Sequence, residues 1–97
     1  MSRLRIGVVG FLRRQFQEVA SRCGGGVELY YLDKTLNRPR FPRRLDRVIV
    51  VGKFISHGWQ RDVLENFPRD RVHRLVGAVG ASSVVRLVES LVLADHH

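Results

Sequence analysis

Apolar runs and amphipathic stretches alternate along this chain. Leu4 to Val9 (LRIGVV) is mostly apolar and is broken by Gly10. Val27 to Leu32 (VELYYL) is aromatic and aliphatic and ends at Asp33. Val48, Ile49, Val50 and Val51 form an unbroken β-branched run, the composition of a strand buried on both faces. Val72 to Val76 predicts a short fourth strand. Between these runs the period changes from strand to helix. Phe16, Val19, Ala20 and Cys23 fall at i, i+3, i+4 and i+7 and predict a helix over Leu12 to Cys23 with one apolar stripe. Gly24, Gly25 and Gly26 end it. Trp59, Val63, Leu64 and Phe67 predict a helix from Ser56 to Phe67, with Ser56 as its N-cap and Pro68 as its stop. The turn Gly77 to Ser83 (GAVGASS) leads into a last helix to about Leu93, capped by Ser82 or Ser83, with Val84, Leu87, Val88 and Leu91 facing the core.

Strands that alternate with helices imply an open, mostly parallel α/β sheet with right-handed crossovers. The expected strand order is 2-1-3-4, in a single domain over residues 1–97. Ligands of such sheets bind outside the carboxyl ends of the strands, where the order reverses. Here that point lies between strands one and three, and Gly10 to Arg14, Lys53 to His57 and the GAVGASS turn are expected to meet there.

One segment breaks the pattern. Lys34 to Arg47 holds Lys34, Arg38, Arg40, Arg43, Arg44 and Arg47 against Asp46, a net +5 of the chain's formal +8. Pro39 and Pro42 oppose a continuous helix. A basic loop is expected in place of a crossover helix, with at most one helical turn near Phe41 to Leu45.

Fifteen of the 17 basic residues are arginine, whose planar fork of donors matches phosphate and carboxylate. The excess points to an anionic partner, whether nucleic acid, a phosphorylated small molecule or an acidic protein surface, and the alternative is an arginine-rich coding background with a solvated basic surface. The single cysteine, Cys23, excludes an intrachain disulfide and makes a reducing cytoplasm the simplest setting. No apolar run approaches the ~20 residues of a membrane span. The first run has no small-residue cleavage site after it and is assigned to the sheet, not to a secretory leader.

Val8-Val9-Gly10, the stretch from Asp46 through Val50 into Ile55-Ser56-His57, and Gly80-Ala81-Ser82-Ser83 before an apolar helix resemble a bacterial family, domain of unknown function 2325. Its members carry a glycine pair after strand one, an aspartate opening strand three, a Ser-His pair after it and a small-residue turn before the last helix. The chain departs from that pattern at Gly10-Phe11, where the second glycine is missing, and in the proline- and arginine-rich segment before Asp46. The resemblance implies a small Rossmann-like domain and no established activity.

Two binding roles emerge. The first is a non-enzymatic module that holds a small anionic or phosphorylated ligand at the crevice between strands one and three, through Gly10, Arg13, Arg14, Lys53, Ser56, His57, Ser82 and Ser83. Helix-start N–H groups, serine hydroxyls and cations suit such a ligand. The alternative for Ser56 and His57 is a plain cap and a packed histidine. For Ser82 and Ser83 it is a plain turn and cap. The second role is nucleic-acid association through Lys34, Arg38, Arg40, Arg43 and Arg44, with Phe41, Tyr30 or Tyr31 available to stack. Neither a Walker A loop nor a complete dinucleotide fingerprint is present, so no cofactor is expected. No ligand spacing points to a metal. No carboxylate or nucleophile is placed beside His57, so an enzyme ranks behind both binding roles. Apolar surplus at Phe54, Ile55, Trp59 and the last helix suggests a homodimer.

Overall fold

Strand-forming runs and helix-forming stripes assemble as their periods require. The computed structural model describes residues 3–36, 40–42, 44–52, 56–77 and 79–95. Strands β1 (Leu4–Val9), β2 (Val27–Leu32), β3 (Arg47–Val51) and β4 (Val72–Leu75) form one parallel sheet in the order β2-β1-β3-β4. Helix α1 (Arg13–Arg22) joins β1 to β2. Helix α2 (His57–Asn66) and a 3-10 turn (Arg69–Arg71) join β3 to β4. Helix α3 (Ala81–Asp95) follows β4. No helix of the described residues is long and apolar enough to cross a membrane.

The two central strands are covered on both faces, as their composition predicts. Leu4, Ile6, Val8, Ile49 and Val51 face α1 and α3, where Val19, Val84, Val85 and Val88 close the larger core. Val9, Val48 and Val50 face the other way and meet Trp59 and Val63 of α2. Central strands alternate their side chains between the two layers, and both layers are apolar.

The β2–β3 crossover has no helix in its described residues 40–42 and 44–46, so the helical turn expected near Phe41 to Leu45 is not seen among them. Its place in the second layer is filled by anchors. The indole Nε1–H of Trp59 donates to the Leu36 carbonyl at 2.8 Å. The rings of Phe41 and Phe67 meet edge to face, with centroids 5.0 Å apart. Leu45 is buried over Gly7, where a Cβ would lie 2.9 Å from the Leu45 and Leu32 methyl carbons. Asp46 then sets the start of β3. Its Oδ2 accepts from the Arg5 N–H at 2.7 Å, and its own N–H donates to the Arg5 carbonyl at 2.8 Å.

Several details differ from the sequence pattern. Helix α1 begins at Arg13, with Leu12 as N-cap, and Ala20 of its expected stripe is exposed. Leu64 is 49% exposed, because α2 covers the sheet through Trp59 and Val63 alone. Trp59 is 3% exposed, so it belongs to this chain's own core and is no surplus for a partner. Phe54 and Ile55 lie outside the described residues. Strand β4 ends one residue early, at Leu75, and Val76 is exposed. Helix α3 starts at Ala81, which puts Ser82 and Ser83 inside its first turn instead of at the cap.

Candidate anion-binding site

The strand order places the reversal between β1 and β3, as expected. The chain leaves β1 through Gly10, which has φ +111°. A Cβ there would fall 2.5 Å from the Val51 carbonyl oxygen. Glycine is therefore required for the ends of β1 and β3 to meet, and Gly10 is buried in that contact. Phe11 is fully buried in the larger core and fixes the turn.

Leu12 has extended backbone angles and no side-chain oxygen, so it offers the first turn of α1 no side-chain cap. Its own N–H is satisfied by Gln15 Oε1 at 2.9 Å. The Phe16 N–H is bonded to the Leu12 carbonyl at 3.0 Å. The N–H groups of Arg13, Arg14 and Gln15 precede that first helical bond and have no acceptor within the helix. The first turn holds no acid, and Arg13 and Arg14 are both exposed on it.

Strand β2 supports this turn from the side. The Arg13 guanidinium lies over the Tyr31 ring, 4.6 Å from its centroid. Tyr31 in turn packs against Phe16 and donates its hydroxyl to the Phe11 carbonyl at 3.2 Å. Burial, then the Asp33 carboxylate, push the Tyr31 phenol upward, against the pull of Arg13, so it stays a donor. Lys34 Nζ donates to the Gly10 carbonyl at 3.2 Å. Lys34 is thus bound to the β1 exit and does not stand free in the basic loop. Asp33 is an acid of this edge. Its Oδ1 accepts from the Thr35 hydroxyl at 2.7 Å and the Thr35 N–H at 2.9 Å, and these bonds hold its carboxyl below the usual range.

The exit of β3 is built differently. Ser56 caps α2, its Oγ accepting from the Trp59 N–H at 3.2 Å, and the Gln60 N–H donates to the Ser56 carbonyl at 3.1 Å. The first turn of α2 again lacks an acid, and His57 is exposed on it. Lys53 lies outside the described residues.

The other expected residues fall elsewhere. Ser82 Oγ accepts from Arg22 in the last turn of α1 at 3.1 Å, at the opposite end of that helix from Arg13 and Arg14. Ser83 lies beside it on α3, exposed. Ser82 and Ser83 thus lie on the first turn of α3, which follows β4 instead of β1 or β3. Arg40 and Arg44 are exposed on the crossover, and Arg44 has φ 64°. Arg44 is two residues from Asp46 and so belongs to the amino edge of the sheet. Arg38 and Arg43 lie outside the described residues. The support of Arg13 by Tyr31 was missed. Its signal was the position of Tyr31 near the end of β2, in register with Val8 just before the β1 exit.

This geometry suits electrostatic capture of an anion, with oriented N–H groups and a guanidinium stacked so that its donor fork stays at the rim. Among the described residues no group of three His, Cys, Asp or Glu could hold a metal ion. Compared with known proteins, the chain matches no family model, no curated protein and no solved structure.

Proposed function

We propose that this chain is a non-enzymatic, Rossmann-like module that binds a small anionic, phosphorylated ligand at the carboxyl edge of its sheet, beside the first turns of α1 and α2. The observation that carries this is Arg13. It sits at the uncapped start of α1, stacked on Tyr31, beside N–H groups that lack helical acceptors. Arg14 adds a second charge, and His57, exposed on the first turn of α2, adds a ring N–H donor. The resemblance to domain of unknown function 2325 agrees with the Rossmann-like architecture and carries no activity of its own. It rests on short motifs that also serve the fold here: Asp46 clamps β1 to β3, and Ser56 caps α2. The double substitution Arg13→Ala, Arg14→Ala should weaken binding of a phosphorylated probe such as adenosine monophosphate by about tenfold or more, since charge-assisted bonds are worth roughly 1.5–3 kcal/mol each. An affinity that survives the double substitution would remove α1 from the site.

A second role is favoured by the crossover. Its apolar anchors, Phe41 and Leu45, turn inward while Arg40 and Arg44 remain exposed. A surface of this kind suits the backbone of a nucleic acid. Substituting Arg40 and Arg44 by alanine should weaken binding across sequences and flatten its salt dependence. Purified protein with a raised ratio of absorbance at 260 to 280 nm would favour this role over the first.

A further inference from the structure

A second concave feature lies away from the β1–β3 exit, on the far flank of α2 where β4 forms the edge of the sheet. Val50 and Val72 make its floor, Val63, Leu64 and Gln60 of α2 one wall, and Arg69 and Arg74 complete the lining. Its volume is about 310 Å³, at the small end of the roughly 300–1,000 Å³ typical of small-molecule sites. The composition is unusual for a surface groove. Val50 and Val63 are almost fully buried, whereas Leu64 is half exposed among the described residues.

The two arginines bracket the groove along the strand. Arg69 precedes β4 in the 3-10 turn. Arg74 is the third residue of β4, and its side chain runs over Gly52, where its Nε would lie 2.9 Å from an added Cβ. Neither guanidinium has an ion pair or hydrogen bond among the described residues, where the salt bridge seen joins Arg5 to Glu28. Arg71 adds a third positive charge to the same edge.

We infer that this groove binds a small amphipathic anion: an apolar or aromatic body with a carboxylate or phosphate. The body replaces water over Val50, Val72 and Leu64. The head group takes the guanidinium fork of Arg69 or Arg74 in charge-assisted bonds. A second copy of this chain is disfavoured, because a two-fold contact would gather two sets of these arginines into one interface. An added peptide strand is disfavoured because β4 offers a ladder of only four residues.

The test uses the full chain and 1-naphthoate, with acetate and 1-naphthalenemethanol as the separate halves of the probe. Naphthoate should bind at least tenfold more tightly than either half and shift the amide resonances of Val63, Leu64 and Val72. Arg69→Gln with Arg74→Gln should weaken it about tenfold. Leu64→Ser, at an exposed position that leaves the fold intact, should weaken it several-fold. Arg13→Ala with Arg14→Ala should leave it unchanged, which separates this groove from the site proposed above. The inference is overturned if naphthoate binds no better than acetate, if its affinity ignores the groove substitutions, or if its shifts map to α1. It is equally overturned if sedimentation shows a dimer that Leu64→Ser dissolves, since the groove would then belong to a second copy.

Discussion

The two central strands both end in glycine, and the two exits behave in opposite ways. At Gly10 the backbone is left-handed and the neighbour is the Val51 carbonyl, a fixed backbone atom. At Gly52 the nearest neighbour is the far end of the Arg74 side chain, which can swing away. The helix after Gly10 starts without a side-chain cap and displays Arg13 and Arg14, whereas the helix after Gly52 is capped by Ser56. The rigid exit therefore carries the less satisfied helix start. A site that binds by electrostatics gains from this combination, because donors without partners are held still by a turn that cannot relax.

The largest effect tests that rigidity. Gly10→Ala must place a Cβ against backbone at a φ that L-residues avoid, and should cost about 3 kcal/mol or more. Gly52→Ala should cost less than about 1 kcal/mol. Chemical denaturation of the two variants side by side checks the contrast, and equal costs would erase it.

Next comes the join between the β3 exit and the crossover. Trp59→Phe keeps an aromatic ring in the core but removes the indole bond to the Leu36 carbonyl. The expected loss is about 1–2 kcal/mol, part of it from the unmade bond. Hydrogen exchange should rise around Leu36 and Phe41 and stay unchanged in α3.

Ser56→Ala removes the cap that α1 lacks. A loss of about 1 kcal/mol in stability is expected, read from the urea midpoint. Gln15→Ala at the other exit should cost only a few tenths of a kcal/mol, since the Leu12 N–H it serves can turn to water.

The smallest effect is a pH dependence outside both exits. His73 pairs with Ile49 in register, and its buried Nε2 has no partner. Burial first, then Arg47, lower its pKa from 6.5, so the native state favours the neutral ring. The unfolded chain takes up a proton before the native one does. Stability is therefore full above pH 6.5 and falls as pH drops through the lowered native value. His73→Leu should flatten this limb of a stability-versus-pH curve. It leaves the more acidic limb, where Glu28, held low chiefly by the Tyr30 hydroxyl, and Asp33, held low by Thr35, become protonated.

The sheet was legible because its signals are local. Continuous β-branched runs mark strands covered twice, and alternating elements imply a parallel sheet, while the order 2-1-3-4 was one of several that they allow. Ser56 as a cap was legible for the same reason. The crossover was legible only as an absence of helix. Nothing in the spacing of Leu36, Phe41 and Leu45 showed that α2 would hold that segment through Trp59 and Phe67. Ser82 was misplaced because a serine near a helix start looks like a cap, whereas the preceding small residues let α3 begin at Ala81. The support under Arg13 depends on Tyr31, 18 positions away in sequence, and became visible only once β1 and β2 were in register. Of the expected site, Arg13, Arg14, Ser56 and His57 lie on the first turns that follow β1 and β3, while Ser82 and Ser83 do not.

The most direct test of the central claim is to map a bound anion. Adenosine monophosphate is titrated into ¹⁵N-labelled protein at low salt while amide resonances are followed. Binding at the carboxyl edge predicts the largest shifts at Arg13, Arg14, Gln15, His57 and Gly58, with saturation and loss of the effect in the Arg13→Ala, Arg14→Ala variant. Shifts centred on Arg40, Arg44 and Arg47 with the α1 amides unmoved would contradict it.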